Sequence, residues 1–307
     1  MLRRHLGPTL IRTGALAALI LASASITADP ASAAGQDRHT SVSRHEQAKD
    51  CSDIDMRFNH ERALFETEEK TLSRAEAPTL RVHAESNGGV QLAGWDQDTY
   101  SVTACKFAEP PQGDAEVLFS QIHVSISGGE VSAEGPSGSH RWGVFFLIRT
   151  PRGSSVEVHA TNGPLSTYRF NGKLTARATN GPISLKDFSG EGDIEAVNGP
   201  INVSGSRGNL KVHTENGPIS VHVEETRWEG AGLTADAQNG PVSLHVPEGF
   251  QSSFLVESRG HGPVSCSASI CGEARKTFDE EDRRKIEYGS GAPVIHLSSY
   301  NGPVSVR

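Results

Sequence analysis

Residues 180–202 read "NGPISLKDFSGEGDIEAVNGPIN", and the fold turns on this stretch. It opens and closes on the same phrase, Asn-Gly-Pro, with starts 18 residues apart at Asn180 and Asn198. "NGPLS" at Asn162 and "NGPIS" at Asn216 keep the same 18-residue step. The beat then loosens, with "NGPVS" at Asn239, "HGPVS" at His261, "NGPVS" at Asn301 and an earlier, looser "NGGVQ" at Asn87. A fixed self-similar period is the signature of a repeat architecture.

Within one period the chain reads turn, strand, turn, strand. After each Asn-Gly-Pro the apolar residues alternate: Ile183 and Leu185, Ile201 and Val203, Ile219 and Val221, Val242 and Leu244. The second run alternates as well, in Leu174, Ala176, Ala178 and again in Leu210, Val212, Thr214. Period-2 alternation over runs this short predicts half-buried β-strands. The density of Gly, Pro and β-branched residues excludes helix over most of the region. Asn-Gly is a hairpin signal, so an antiparallel meander is one arrangement. A parallel β-solenoid of roughly 18-residue coils is the better fit, for two reasons. The identical phrase returns only at every second turn, while "RFNG", "DFSGEG" and "GSRG" vary between. Each coil also has too little apolar surface to form a core unless neighbours stack on it.

The phrase is then a structural corner. Its copies are Asn162-Gly163-Pro164, Asn180-Gly181-Pro182, Asn198-Gly199-Pro200, Asn216-Gly217-Pro218, Asn239-Gly240-Pro241 and Asn301-Gly302-Pro303. Gly163, Gly181, Gly199, Gly217 and Gly240 are expected to supply a positive φ, which glycine adopts at least cost. Proline without an N–H is tolerated at the first residue of a strand. Asparagines at equivalent corners can stack their amides into a hydrogen-bonded ladder.

Arg3, Arg4 and Arg12, an apolar run from Gly14 to Ile26 and the A-x-A at Ala31-Ser32-Ala33 predict a secretory signal peptide over residues 1–33. The apolar run is shorter than the ~20 residues that a membrane span needs, so no transmembrane helix is expected in the mature chain. Removing Arg3, Arg4, Arg12 and Asp29 takes the 29 basic and 37 acidic residues to 26 and 36, a formal charge of −10. That balance argues against nucleic acid as a partner. Cys51, Cys105, Cys266 and Cys271 are an even set in an exported chain, which favours disulfides. "CSASIC" makes Cys266 with Cys271 the easiest local pair, and leaves Cys51 with Cys105. No CxxC spacing offers a metal site. Residues 34–75 are polar and charge-rich and read as an N-terminal segment and cap. Residues 76–307 read as the repeat domain, with a charged surface insertion at about 267–293 that holds "DEEDRRK".

The stretch "IRTPRGSSVEVHATNGPLSTYRFNGKLTARATNGPISL" and the closing "RRKIEYGSGAPVIHLSSYNGPVSV" resemble the DUF4097 group of bacterial β-strand-repeat proteins, which carry the label adhesin, over roughly residues 80–307. Asn-Gly-Pro stands where that group tends to have N-G-D, and Thr150-Pro151-Arg152-Gly153 stands for its V-P-x-G. The resemblance implies a solenoid exported to the envelope and carries over no catalytic residue.

In register, the outward residues three before each turn Asn form a column of Arg177, Glu195, His213 and Asp236. Strand spacing would put Glu195 and Asp236 about 9.6 Å apart, near the upper end of carboxylate separations in inverting glycosidases. The simpler reading is a row of cross-strand charge pairs. His222 and His245 would also stack, without an evident third ligand for a metal. Ser166, Ser184, Asn202, Ser220, Ser243 and Ser265 make a polar stripe. Trp95, Trp142 and Trp228 share no repeat position and are expected in local packing, not along a groove. No G-x-S-x-G, phosphate loop or HExxH occurs. The sequence therefore predicts an exported, non-catalytic repeat protein of the cell envelope with no cofactor, acting as an adhesin, scaffold or ligand-binding surface toward a glycan, protein or other envelope partner. The alternatives are a carbohydrate-active enzyme using Glu195, His213 and Asp236, and an envelope-stress ligand sensor.

Overall fold

The computed structural model describes residues 38–42, 47–58, 61–84, 87–109, 115–137, 142–205, 207–260, 262–278, 284–292 and 294–307. The expected signal peptide (1–33), His261 and most of the "DEEDRRK" run lie outside them.

The chain before the regular repeats forms β1 (Arg38–Val42), β2 (Ile54–Phe58), β3 (Glu61–Arg62), β4 (Leu64–Ser73), β5 (Thr79–Ala84), β6 (Gly88–Trp95) and β7 (Thr99–Ala108). A short helix α1 (Ala115–Ser120), then β8 (His123–Ser127), β9 (Glu130–Glu134) and β10 (Trp142–Pro151) follow. The repeats supply strands in pairs: β11 (Ser154–Asn162) with β12 (Leu165–Tyr168), β13 (Asn171–Asn180) with β14 (Ile183–Lys186), and β15 (Ser189–Asn198) with β16 (Ile201–Ser204). The pattern continues in β17 (Arg207–Asn216) with β18 (Ile219–His222), and β19 (Glu229–Asn239) with β20 (Val242–His245). The chain then forms β21 (Phe254–Ser258), β22 (Val264–Cys266), β23 (Arg275–Phe278), β24 (Arg284–Tyr288), β25 (Ile295–Asn301) and β26 (Val304–Val306).

Among the described residues the strands build two long sheets, one of 11 and one of 12 strands, besides the small sheet β1–β2–β3. The short member of each repeat lies in the first sheet and the long member in the second, and both pair in parallel with the same member of the next repeat. Asn-Gly thus makes no hairpin here. It turns the chain from one sheet to the other, and Asn162, Asn180, Asn198, Asn216, Asn239 and Asn301 fall in register. The inward residues Leu174, Ala176, Ile183, Leu185, Ile194, Ile201, Leu233 and Leu244 are at most 2% exposed. Burial contributes roughly 1.5–3 kcal/mol for each large aliphatic, and it is the stacked neighbours that bury them.

The corner is bonded from copy to copy. Asn180, Asn198, Asn216, Asn239 and Asn301 each donate a side-chain Nδ2–H to the Oδ1 of the preceding corner's asparagine, at 2.9–3.1 Å. Gly181 and Gly199 donate backbone N–H to the carbonyls of Asn198 and Asn216. The carbonyls of Pro182, Pro200, Pro218 and Pro241 accept from Leu165, Ile183, Ile201 and Ile219, the strand starts of the preceding copy, so the proline's missing N–H leaves the carbonyl ladder intact. One expectation is corrected. Gly163, Gly181 and Gly199 have positive φ, but Gly217 and Gly240 do not. What the five glycines share is proximity: a Cβ on Gly217 would lie 2.2 Å from the Gly199 carbonyl oxygen, and one on Gly240 2.0 Å from that of Gly217.

The order along the sheets is not the order along the chain. β25 and β26 lie between β19/β20 and β21/β22, so the Asn301 copy stacks directly on the Asn239 copy and the 254–266 strands sit outside it. β23 and β24, which flank the acidic run, extend the second sheet as an antiparallel hairpin. At the other end β5/β6 stack on β11/β12, while β10, β7 and β4 continue the first sheet. The charge-rich residues 64–73 are thus an edge strand, and charge on an edge discourages pairing with another chain. The segment 47–58 lays Cys51, Ile54, Met56 and Phe58 against Phe107, Phe145 and Leu147. β10, buried on both faces, therefore reads as a continuous apolar run, "VFFLI". Gln91 clamps this segment by bonding both the N–H and the carbonyl of Ala48. The cysteines pair as Cys51–Cys105 and Cys266–Cys271, which fits a chain that folds in an oxidising compartment. No helix among the described residues is long and apolar enough to cross a membrane.

Candidate functional site

The second corner of each repeat, from the first sheet back to the second, varies in sequence. Gly94, Arg169, Asp187, Gly205, Val223 and Val246 occupy its equivalent slot, each one residue beyond strand partners in register. Gly205 has φ 138°, while Arg169 and Asp187 have φ 49° and 52°. A left-handed backbone costs an L-residue with a Cβ about 1–2 kcal/mol. Glycine would avoid that cost, so two charged side chains are kept here against local preference. Their amides hold the slot, donating to the carbonyls of Lys186 and Ser204 at 3.0 Å. Behind it Phe170 and Phe188 are buried and stack at 5.6 Å between centroids. The fourth corner is longer, since the step from Asn216 to Asn239 exceeds 18 residues. Its Trp228 is buried there, with Nε1 donating to the Gly208 carbonyl at 3.0 Å, and its Glu224 and Glu225 stand outside.

These corners line a cleft of about 480 Å³. Arg152, Arg169 and Arg207 face it, as do Asp96, Asp187, Glu224 and Glu225. Arg152 Nε pairs with Asp96 Oδ1 at 2.8 Å, and Glu224 Oε1 accepts from Ser204 Oγ at 2.7 Å. Arg207 reaches Glu229 at 3.7 Å. Asn171 bridges two corners, accepting at Oδ1 from Gly153 N and donating Nδ2–H to Ser189 Oγ. Arg169 and Asp187 differ from these. Both side chains are exposed, and neither makes a hydrogen bond or ion pair among the described residues, although they occupy adjacent corners. Trp95 is half-buried at the cleft wall, with Nε1 bonded to the Thr99 carbonyl and Arg149 over its ring at 5.8 Å. The expectation that no tryptophan lines a groove therefore holds for Trp228 and not for Trp95. Trp142 is buried, its Nε1 bonded to the Pro136 carbonyl.

The outward column of the second sheet runs His83, His159, Arg177, Glu195, His213, Asp236, Ser298, Glu257 across successive strands. Arg177 holds Glu195 at 2.9 Å and Asp193 at 3.1 Å. Asp236 lies 3.2 Å from His213 Nδ1, accepts from Ser298 Oγ at 2.6 Å and pairs with Arg259 at 3.4 Å. Register thus brings Glu195, His213 and Asp236 together, but their carboxylates are engaged in cross-strand pairs on the sheet face, and none of the three lines the cleft. At the column's end Glu257, 11% exposed, receives His296, Arg259 and Lys285. The hydrogen bond from His296, with the nearby cations, holds its carboxyl at a pKa of about 2 against the opposing effect of burial.

No family model matches the sequence, and no curated protein is significantly similar to it. Solved structures do resemble it. A candidate adhesin from Bacteroides fragilis aligns at 11% identity and a TM-score of 0.40, over 79% of this chain and 96% of its own. A candidate lipid binding protein from Parabacteroides distasonis gives 10% and 0.35, over 79% and 96%. A candidate cell adhesion protein from Clostridium sporogenes gives 11% and 0.30, over 79% and 99%.

His222 and His245 stack face to face, with ring centroids 4.1 Å apart. Burial, then the neighbouring His222 and Arg307, lower the His245 pKa. No cluster of three metal-ligating side chains occurs among the described residues. Arg169, Asp187 and the cleft were missed by sequence reasoning. The signal available was a charged residue in a slot that other copies fill with glycine or valine.

Proposed function

We propose that this chain is an exported, non-catalytic β-solenoid of the DUF4097 kind, two strands to a coil, whose variable corners form a ligand-binding surface of the adhesin or envelope-scaffold type. The solenoid reading is supported by corners that bond to their own copies and by parallel register in both sheets. The binding reading rests on one observation: corners of successive repeats converge on a cleft and present there Arg169 and Asp187, whose side chains make no hydrogen bond or ion pair among the described residues. Repeat proteins bind through such composite surfaces, where each repeat adds side chains at a fixed spacing. The non-catalytic reading is supported by the engagement of Glu195 and Asp236 with Arg177, His213 and Arg259.

The test is a binding screen of the exported chain against glycans, peptidoglycan fragments, peptides and envelope lipids, with reducing-end release followed in the same wells. Saturable binding without release is expected. Release of reducing ends that disappears in Glu195→Gln would replace the binding protein with an enzyme.

A further inference from the structure

We propose that the corner cleft is a saccharide subsite, with Arg169 and Asp187 as its recognition pair; this rests on the binding-surface reading above. The first ground is backbone strain. In one stacked slot the chain carries Gly94, Gly205, Val223 and Val246, of which only Gly205 has a positive φ, yet it holds Arg169 and Asp187 at φ 49° and 52°. Left-handed non-glycine residues persist where the side chain is needed and the surrounding structure enforces the backbone. Here the neighbouring corners enforce it through the amide bonds to Lys186 and Ser204.

The second ground is the unused hydrogen-bonding capacity. A guanidinium only donates and a carboxylate only accepts. Side by side and unpaired, Arg169 and Asp187 match a group that both accepts and donates within one strand spacing, about 4.8 Å. Neighbouring hydroxyls of a sugar ring do this, one accepting from Arg169 while the other donates to Asp187. Trp95 supplies an apolar wall for the ring's C–H face, and the Asn171 amide adds a further polar edge. The other ligand classes fit worse. A polyanion would meet Asp96, Asp187, Glu224 and Glu225, and a lipid tail would meet a wall of charge. A metal ion lacks a cluster of three ligands among the described residues.

The experiment uses the full exported chain on an array of neutral glucans and mannans, N-acetylglucosamine oligomers and uronic-acid oligosaccharides, with a peptide and a lipid panel alongside. Titration calorimetry then follows the strongest saccharide. Arg169→Gly and Asp187→Gly are each expected to weaken it by about tenfold or more, the size of a lost charged hydrogen bond. Both should melt no lower than the parent, because glycine relieves the backbone. Glu195→Gln, away from the cleft, should bind as the parent does. Saccharide binding that survives both glycine variants would overturn the site. Binding of peptides or lipids but no saccharide would overturn the ligand class and leave the binding-surface reading intact. An absence of ligands from every panel would remove both. Should Arg169→Gly fail to fold, Asp187→Gly carries the same test.

Discussion

At the scale of single residues, the corner glycines are held to their identity by the carbonyl of the copy beneath. A Cβ on Gly199 would lie 2.2 Å from the Gly181 oxygen, and that atom is backbone that cannot rotate away. Gly199→Ala is therefore expected to destabilise by about 2–4 kcal/mol, the upper range for overpacking, read as a fall in urea midpoint at unchanged slope. An unaltered midpoint would mean that the stack is looser than its hydrogen bonds imply. The identity of the phrase was legible as stacking, because equal corners can bond to one another. Which glycines take a positive φ was not legible, since Gly199 and Gly217 sit in the same three-letter phrase and differ in φ. Arg169 and Asp187 were opaque for the opposite reason: "RFN" and "DFS" look like ordinary turns until register aligns them with Gly94 and Gly205.

At the scale of elements, alternation revealed the strands and the repeated phrase favoured parallel pairing. Two elements escaped because their partners are distant in sequence. The acidic run 66–69 looked like a solvated cap, yet it lies in β4 and pairs with β7, and Glu66 and Glu68 neutralise Lys106, whose side chain is 10% exposed. β10 is apolar on both faces because residues 47–58, distant from it in sequence, cover one of them. Glu257 shows how one side chain joins elements: on β21, it is bound by His296 of β25 and Lys285 of β24. Its carboxyl titrates near 2 in the fold against an ordinary value of 4.5. A depressed carboxylate stabilises fully above its unfolded value, and that stability is lost as pH falls from about 5 through 2. Glu257→Gln should thus lower stability by roughly 2–3 kcal/mol at pH 7, with the gap closing by pH 2 in denaturant titrations. A gap independent of pH would assign the loss to packing instead. The lowered His245 pKa acts in the same direction, since the unfolded imidazole takes up its proton first as pH falls through 6.5.

For the whole molecule, the interleaved ends set the consequences of truncation. A linear repeat array tolerates loss of a terminal unit, because stability is a sum over neighbours. Here residues 295–306 form an inner layer with strands on both sides, and Ile295, Leu297, Val304 and Val306 are fully buried. Those four side chains contribute roughly 6–12 kcal/mol by burial, comparable to the net stability of a domain. Ending the chain after Ala292 is expected to abolish cooperative unfolding by circular dichroism; a truncated chain that melts at the parent's midpoint would refute the layer order. The asparagine ladder has a chemical consequence as well. An Asn-Gly bond ages when the glycine nitrogen attacks Cγ of the asparagine side-chain amide, expels Nδ2 as ammonia and closes a succinimide. In the folded chain Gly163, Gly181, Gly199, Gly217 and Gly240 spend that N–H on the next corner's carbonyl, while the amide is held in the ladder. Unfolded, the same bonds are open to deamidation, so each corner acts as a clock that runs only while the repeats are apart.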